Sequence, residues 1–181
     1  RTMHIILVNG PSGSGKTSIA RHLSKELGII CFHKDEIKET LGEVTPPKTL
    51  EDSEVLGRMA VQTLLRLIHQ AYISNTTIII ESPFSYFFEK EDFEPFSNAH
   101  FIQVYCDAPG PVLARRFEER INERHPVHLD HLRKDTPSIL NNLTRADFRP
   151  LNLPNQKLIE VQTDPWPDLD ALTAHVKTLL T

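Results

Sequence analysis

Cysteine occurs twice in this 181-residue chain, tryptophan once and glycine seven times, and each scarcity narrows what the protein can be. Cys31 and Cys106 sit in separate apolar, strand-like runs, GIICF and FIQVYC, with no partner at metal-ligand spacing. They read as small buried side chains in a reducing compartment, not as a disulfide or a metal site. The longest greasy stretches, IILV and TTIII, are far too short for a membrane-spanning helix. The first residues run directly into a strand pattern without the charged, apolar and cleavage regions of a secretory signal, so the expected location is cytoplasmic. Neither sign of charge dominates: 20 Lys and Arg face 24 Asp and Glu, for a net charge of −4. The cations are scattered along the chain, which argues against nucleic acid as a partner. A mean hydropathy of −0.30 is that of an ordinary globular protein. No repeat with a period of roughly 20 to 50 residues and no low-complexity linker divides the chain, so one domain over residues 1–181 is expected.

What is present is an alternation. Residues 3–9, 29–33, 77–81, 100–106 and 157–162 are short aliphatic or β-branched runs that read as buried strands. Longer periodic segments lie between them. Residues 16–27 read as a helix. In 51–74, Leu56, Ala60, Leu64, Leu67, Ile68 and Ala71 recur at steps of three and four, which makes an apolar stripe for packing on a sheet. Leu169, Leu172, Val176, Leu179 and Leu180 repeat the device at the end. Strand alternating with helix predicts an α/β fold with a parallel sheet covered on both faces, whose ligands gather at the carboxyl ends of the strands.

Three of the seven glycines fall in one stretch, GPSGSGKT, directly after the first strand run. Gly10, Pro11, Ser12, Gly13, Ser14, Gly15, Lys16 and Thr17 match the P-loop pattern at every fixed position, and Ser18 follows in the first turn of the next helix. Such a loop curls around phosphates with successive N–H groups pointing inward, aided by the helix N-terminus. Lys16 then supplies a cation for the β- and γ-phosphates, and the Thr17 hydroxyl is placed to bind Mg²⁺. A phosphate chain with Mg²⁺ is what this pattern predicts. The loop identifies a held phosphate chain without saying what is done to it.

Carboxylates at the other strand ends are candidates for that answer. In HKDEIKETL, Asp35 follows the second strand, either as a general base for an attacking hydroxyl or as the N-cap of a helix. Glu81 ends the third strand, where a carboxylate holds the magnesium shell, here through water, or binds substrate. Phe84, Tyr86 and Phe87 follow it as an acceptor wall or as core. Further on, Arg116, Arg120 and Arg124 recur every four residues, which would align them on one helix face to clamp phosphate oxygens. The interleaved Glu118, Glu119 and Glu123 allow a solvated ion-paired face instead. His125, His128 and His131 are spaced by three, but Pro126 interrupts any helix there, and a polar mobile segment is favoured over zinc.

With GPSGSGKT, HKDEIKETL and ARRFEERINERHP on the page, the chain resembles small P-loop kinases of the nucleoside/nucleotide kinase-like superfamily. The group meant includes chloramphenicol phosphotransferase, zeta-type toxins, gluconate kinase and the kinase half of polynucleotide kinase. The resemblance implies a three-layer P-loop NTPase sandwich, a five-stranded parallel sheet of order 2-3-1-4-5, and a mobile helical lid at about residues 116–136. It implies ATP with Mg²⁺ as the donor and Asp35 as the base that takes the acceptor hydroxyl proton. Carried over on spacing, Arg116 would lie against the adenine, Arg120 would reach the phosphates and Arg124 would be a second lid arginine. Further base contacts are implied from the loop around Arg149 to Pro154. The activity implied is transfer of the γ-phosphate of ATP to a hydroxyl of a small molecule. A nucleotide sugar, an RNA 5′-hydroxyl or a regulator that merely senses ATP are the alternatives, and the acidic pI of about 6.1 speaks against RNA.

Overall fold

A computed structural model describes residues 3–133 and 148–181. Five strands form one parallel sheet: β1 (His4–Asn9), β2 (Cys31–His33), β3 (Ile78–Glu81), β4 (His100–Asp107) and β5 (Gln156–Gln162), in the order β2-β3-β1-β4-β5. The expected order and all five expected strands are present.

Alternation with a period of two decides which face each side chain serves. Ile5 and Leu7 of β1, Ile78 and Ile80 of β3 and Phe101 of β4 point into one layer. There they meet Val61, Leu64 and Ile68 of the long helix α3 (Leu50–Ile73). Ile6, Val8, Ile79, Ile102 and Val104 point to the other face. That layer is closed by Ile19, Ala20 and Leu23 of α1 (Lys16–Leu27) and by Leu172 and Val176 of the last helix, α7 (Leu169–Thr178). Parallel strands covered on both faces must be apolar on both, which is why they read as unbroken aliphatic runs.

Between β2 and α3 lies α2 (Lys34–Val44), which packs on α3. Its N-cap is His33, so Asp35 stands in the first helical turn and is not the cap that one reading of the sequence expects. α3 itself begins with a capping box: Asp52 N–H donates to Thr49 Oγ1 (3.1 Å) and Thr49 N–H donates to Asp52 Oδ2 (2.9 Å). After β3 comes a single turn, α4 (Phe84–Phe87); Phe84 is fully buried against Phe88 and Phe93, while Tyr86 and Phe87 face outward.

The segment expected to be a lid begins with α5 (Gly110–Arg120) and continues through a turn over 121–124, a 3-10 turn (Pro126–His128) and the short α6 (Asp130–Arg133). The helix stops at Arg120, so Arg124 lies beyond it and the three arginines do not share one helical face. Residues 134–136 of the expected lid lie outside the described residues. Among the described residues no helix is long and apolar enough to cross a membrane, and no cluster of metal-ligating side chains forms around the three histidines or either cysteine. Both thiols are free; Cys106 is buried as expected, but Cys31 is only partly buried, on the edge strand. Burial pushes both thiols up to about 12.

Candidate active site

Because all five strands run in one direction, their carboxyl ends share one edge, and the P-loop, Asp35, Glu81, Asp107 and Thr163 all arrive there. The loop leaves β1 at Asn9, whose Oδ1 accepts the Gly10 N–H (2.8 Å) and whose amide donates to the buried Gln103 on β4 (3.0 Å). Gly15 adopts φ +80°, in the left-handed region, and a Cβ there would stand 2.6 Å from the ring of Trp166. The loop therefore needs glycine twice over at that position, for its turn and for the packed ring.

The cradle has the polarity of a phosphate site. Lys16 is nearly buried, yet among the described residues its Nζ finds only the Pro11 carbonyl at 3.4 Å and a Glu81 oxygen at 3.9 Å. Burial pulls its pKa down, with Glu81 and Asp35 opposing. Ser14 Oγ is buried without a hydrogen-bond partner among the described residues. A desolvated ammonium without a close counterion and an orphaned hydroxyl, at the start of a helix, fit a bound polyphosphate.

Glu81, 4% exposed, is the hub between the P-loop and β2. Its Oε2 accepts from Thr17 Oγ1 (3.3 Å) and bonds His33 Nδ1 (2.8 Å). A hydroxyl and a carboxylate side by side are hard oxygen donors of the kind Mg²⁺ takes while keeping several waters, so these residues fit that ion. His33 escapes a motif search because nothing in the sequence distinguishes it from a core strand residue.

Across the cavity, Asp35 is gripped by Arg124 Nη2 (3.2 Å) and Lys34 Nζ (3.1 Å). Burial alone would raise its pKa, but Lys34, Arg124 and Lys16 together hold it far below the usual carboxylate range. Arg124 also donates to the buried Asp130 (2.8 Å), and so ties the segment after α5 to α2. His128, pushed down to about 3 by burial with the cations Arg124, Lys38 and Lys34 adding to it, is neutral; its Nε2 lies 3.0 Å from Glu39 Oε1 and donates there.

Arg116 donates from Nη1 to the Gly13 carbonyl (3.1 Å) and Thr163 Oγ1 (2.9 Å), and from Nη2 to the Thr163 carbonyl (2.7 Å). It thus bridges the P-loop to the loop after β5, where Trp166 stands. Arg120 is more exposed, its Nε donating to the Arg116 carbonyl (3.1 Å), and both burial and Arg124 work against its charge.

Of the loop before β5, expected to supply base contacts, Leu151 and Leu153 sink into the α3 side of the core, Phe148 and Leu151 are tied to Tyr105 and Gln103, and the Arg149 carbonyl accepts from Ser85. It is the loop after β5, residues 163–166, that reaches Gly15 and Arg116.

A five-stranded 2-3-1-4-5 sheet with a P-loop at β1 and a helical segment closing over it defines a small P-loop kinase-like protein. More particularly, the AAA domain family model AAA_18 matches residues 6–135, and the chain belongs to that family. Among solved structures, a candidate kinase from Chloroflexus aurantiacus is similar over 98% of both chains, with 26% identity and a TM-score of 0.84. The APS kinase of Mycobacterium tuberculosis, solved with AMPPNP and APS, is 18% identical over 99% of this chain and 98% of its own, with a TM-score of 0.62. Shikimate kinase from Acinetobacter baumannii, solved with shikimate, is 19% identical over 99% and 93%, with a TM-score of 0.56. These last two likenesses are of fold. No curated protein matches the sequence.

Proposed function

We propose that the protein is an ATP-dependent phosphotransferase acting on a hydroxyl of a small-molecule acceptor. The observation that supports this most is the placement of Asp35 and Lys16 on the walls of one cavity of about 480 Å³, closed by Arg124 and walled by Phe117, Tyr86 and Phe87. A nucleotide sensor needs the P-loop but has no use for a carboxylate facing a roomy pocket beyond it.

ATP with Mg²⁺ supplies the transferable phosphoryl group when bound. Lys16 would then neutralise the phosphate oxygens, Thr17 and Glu81 would hold the metal, and the loop from Gly10 to Ser18 would cradle the polyphosphate. Arg116 and the loop at 163–166 flank the adenine. Asp35 accepts the hydrogen bond of the acceptor hydroxyl and aims its lone pair at the phosphorus. Held so acidic by its cations, Asp35 is a weak base until the transition state, which suits a loose phosphoryl transfer in which positioning outweighs early proton removal. Arg120, one turn beyond Arg116 on α5, would meet charge on the transferred group, and Arg124 holds Asp35 in place. The segment from α5 to α6 excludes water, the competing acceptor.

The test is ATP turnover with Mg²⁺ over a panel of polyols, sugar acids, nucleosides, nucleotide sugars, antibiotics and RNA 5′ ends, wild type against Asp35→Asn. Stimulation by one class, lost in the variant, is the expected result. Tight ATP binding with no stimulation by any acceptor would leave a regulator.

A further inference from the structure

The acceptor side of the cavity carries more positive charge than its own carboxylates answer. Its walls present Lys16, Lys34, Lys38, Arg58, Arg124 and Arg133 against Asp35, Glu54 and Asp130. Some of these cations are spoken for. Lys34 bonds Asp35 and lies over the Phe87 ring at 4.2 Å; Arg124 bridges Asp35 and Asp130; Lys16 faces the donor.

Lys38 and Arg58 are not. Lys38 stands one turn along α2 from Lys34, and its side chain is 6% exposed as a residue within the core of the site. Among the described residues its ammonium has a single polar partner, Ser53 Oγ at 2.8 Å, and that hydroxyl donates its own proton to the Val127 carbonyl (2.7 Å). A buried ammonium with one neutral hydroxyl for company, beside the cations Lys34, Arg124 and Arg133, is an arrangement that repels itself. Arg58 lines the same cavity from α3 and makes no hydrogen bond or ion pair among the described residues; Glu54, one turn earlier, does not close on it.

Gly57 lies beside Arg58 on α3. It needs no unusual backbone, and glycine inside a helix is unfavourable by about 1 kcal/mol relative to alanine. Among the described residues, the atom a Cβ there would meet from outside its own helix is Lys38 Nζ, at 4.0 Å. Its missing side chain leaves the face of the ammonium open to the cavity.

We propose that this wall is the seat of an oxyanion, a carboxylate or a phosphate monoester, carried by the substrate itself, with Lys38 and Arg58 as its contacts and the opening at Gly57 as its way in. The substrate is then an anionic hydroxyl compound. The anion anchors it on α2 and α3, its carbon frame lies along Tyr86 and Phe87, and its hydroxyl reaches Asp35. The hydroxyl part of this inference rests on the kinase reading; the anion seat does not.

The two are separated by a binding experiment without turnover. With the P-loop blocked by a saturating non-hydrolysable ATP analogue and Mg²⁺, titration calorimetry with inorganic phosphate and with malonate is run on wild type, Arg58→Gln, Lys38→Gln and Gly57→Leu. One of the two anions should bind to the wild type and weaken about 30-fold in Lys38→Gln, the scale of losing one partner of a buried charge pair, with a smaller loss in Arg58→Gln. Which anion binds distinguishes phosphate from carboxylate. Analogue affinity should stay unchanged in all three variants, which shows that they are folded. Absence of anion binding to the blocked wild type, or equal binding by Lys38→Gln and Arg58→Gln, would overturn the inference. A transfer assay with matched neutral and anionic polyols completes the test. Preference for the anionic member, with KM raised in Gly57→Leu, supports the seat. Transfer only to neutral members refutes it while keeping the kinase. Anion binding without transfer to any member keeps the seat and refutes the kinase reading.

Discussion

Asp35 and Lys38 lie one turn apart on α2, and their charges are set in opposite ways. Asp35 is held ionised by Lys34 and Arg124 against the pull of burial. Its folded pKa lies below the ordinary 3.8, so the stability it adds is present above that value and is lost as pH falls through the lower folded one. Asp35→Asn should therefore keep ATP affinity within about threefold and lower transfer by roughly 10² to 10⁴, the usual reach of acid–base catalysis, read as kcat with and without acceptor. Moreover, kcat/KM should show no acid limb from Asp35 between pH 5 and 8; retention of full transfer by the variant would remove the residue from this role. Lys38 goes the other way. Burial, then Lys34 and Arg133, push its ammonium down from 10.5 to about 8. Between those values the unfolded chain holds the proton that the folded one lacks, so this group makes stability rise with pH there. Anion binding needs the charged form, and the affinity of the anion measured above should fall as pH passes upward through about 8, a fall absent from Lys38→Gln. Neither lysine announces itself in HKDEIKETL. A lysine on a helix ordinarily lies in water, and these two are buried only because α3 and the segment after Arg120 close over them.

Elements were more legible than their junctions. The strands are short aliphatic runs and the helices carry apolar stripes at steps of three and four, so local pattern is enough to find them. What local pattern does not carry is where α5 ends or which loop meets the P-loop: the four-residue spacing of Arg116, Arg120 and Arg124 suggests one helix, yet the chain turns after Arg120 and swings Arg124 onto α2. That docking is made by Arg124 to Asp35 and Asp130, His128 to Glu39, and the Val127 carbonyl to Ser53. It also depends on Gly42 of α2, where a Cβ would overlap the Val127 side chain. Gly42→Ala improves the helix by up to about 1 kcal/mol but forces Val127 away, for a net loss of about 1 kcal/mol or more in docking. Hydrogen exchange should quicken at Val127 and His128 while β1 and β4 keep their protection, and transfer should slow as Arg124 loses its hold on Asp35. Unchanged exchange at Val127 would mean that this contact does not hold the segment closed.

At the scale of the whole molecule, the nucleotide site joins distant parts of the chain. The P-loop leaves β1 near the start, Arg116 comes from the middle, and Thr163 and Trp166 follow the last strand. A ligand touching all three stabilises the entire fold, by about 2.7 kcal/mol at a hundred times its Kd. For a domain of this size that corresponds to a rise in Tm of about 5 to 10 °C. Trp166 makes the event visible, because it is the single tryptophan, 48% exposed, with its ring against Gly15. Binding of the ATP analogue should change its emission along the same isotherm that raises Tm. Trp166→Ala should weaken analogue binding several-fold, for loss of an aromatic contact of about 1 kcal/mol, yet leave the anion affinity of the Lys38 and Arg58 wall untouched. That pairing of outcomes follows from geometry alone: the tryptophan ring lies against Gly15 at the start of α1, while the anion wall is built from residues of α2 and α3. Emission that ignores the analogue while Tm rises would place the nucleotide away from the loop after β5 and return the adenine to another part of the chain.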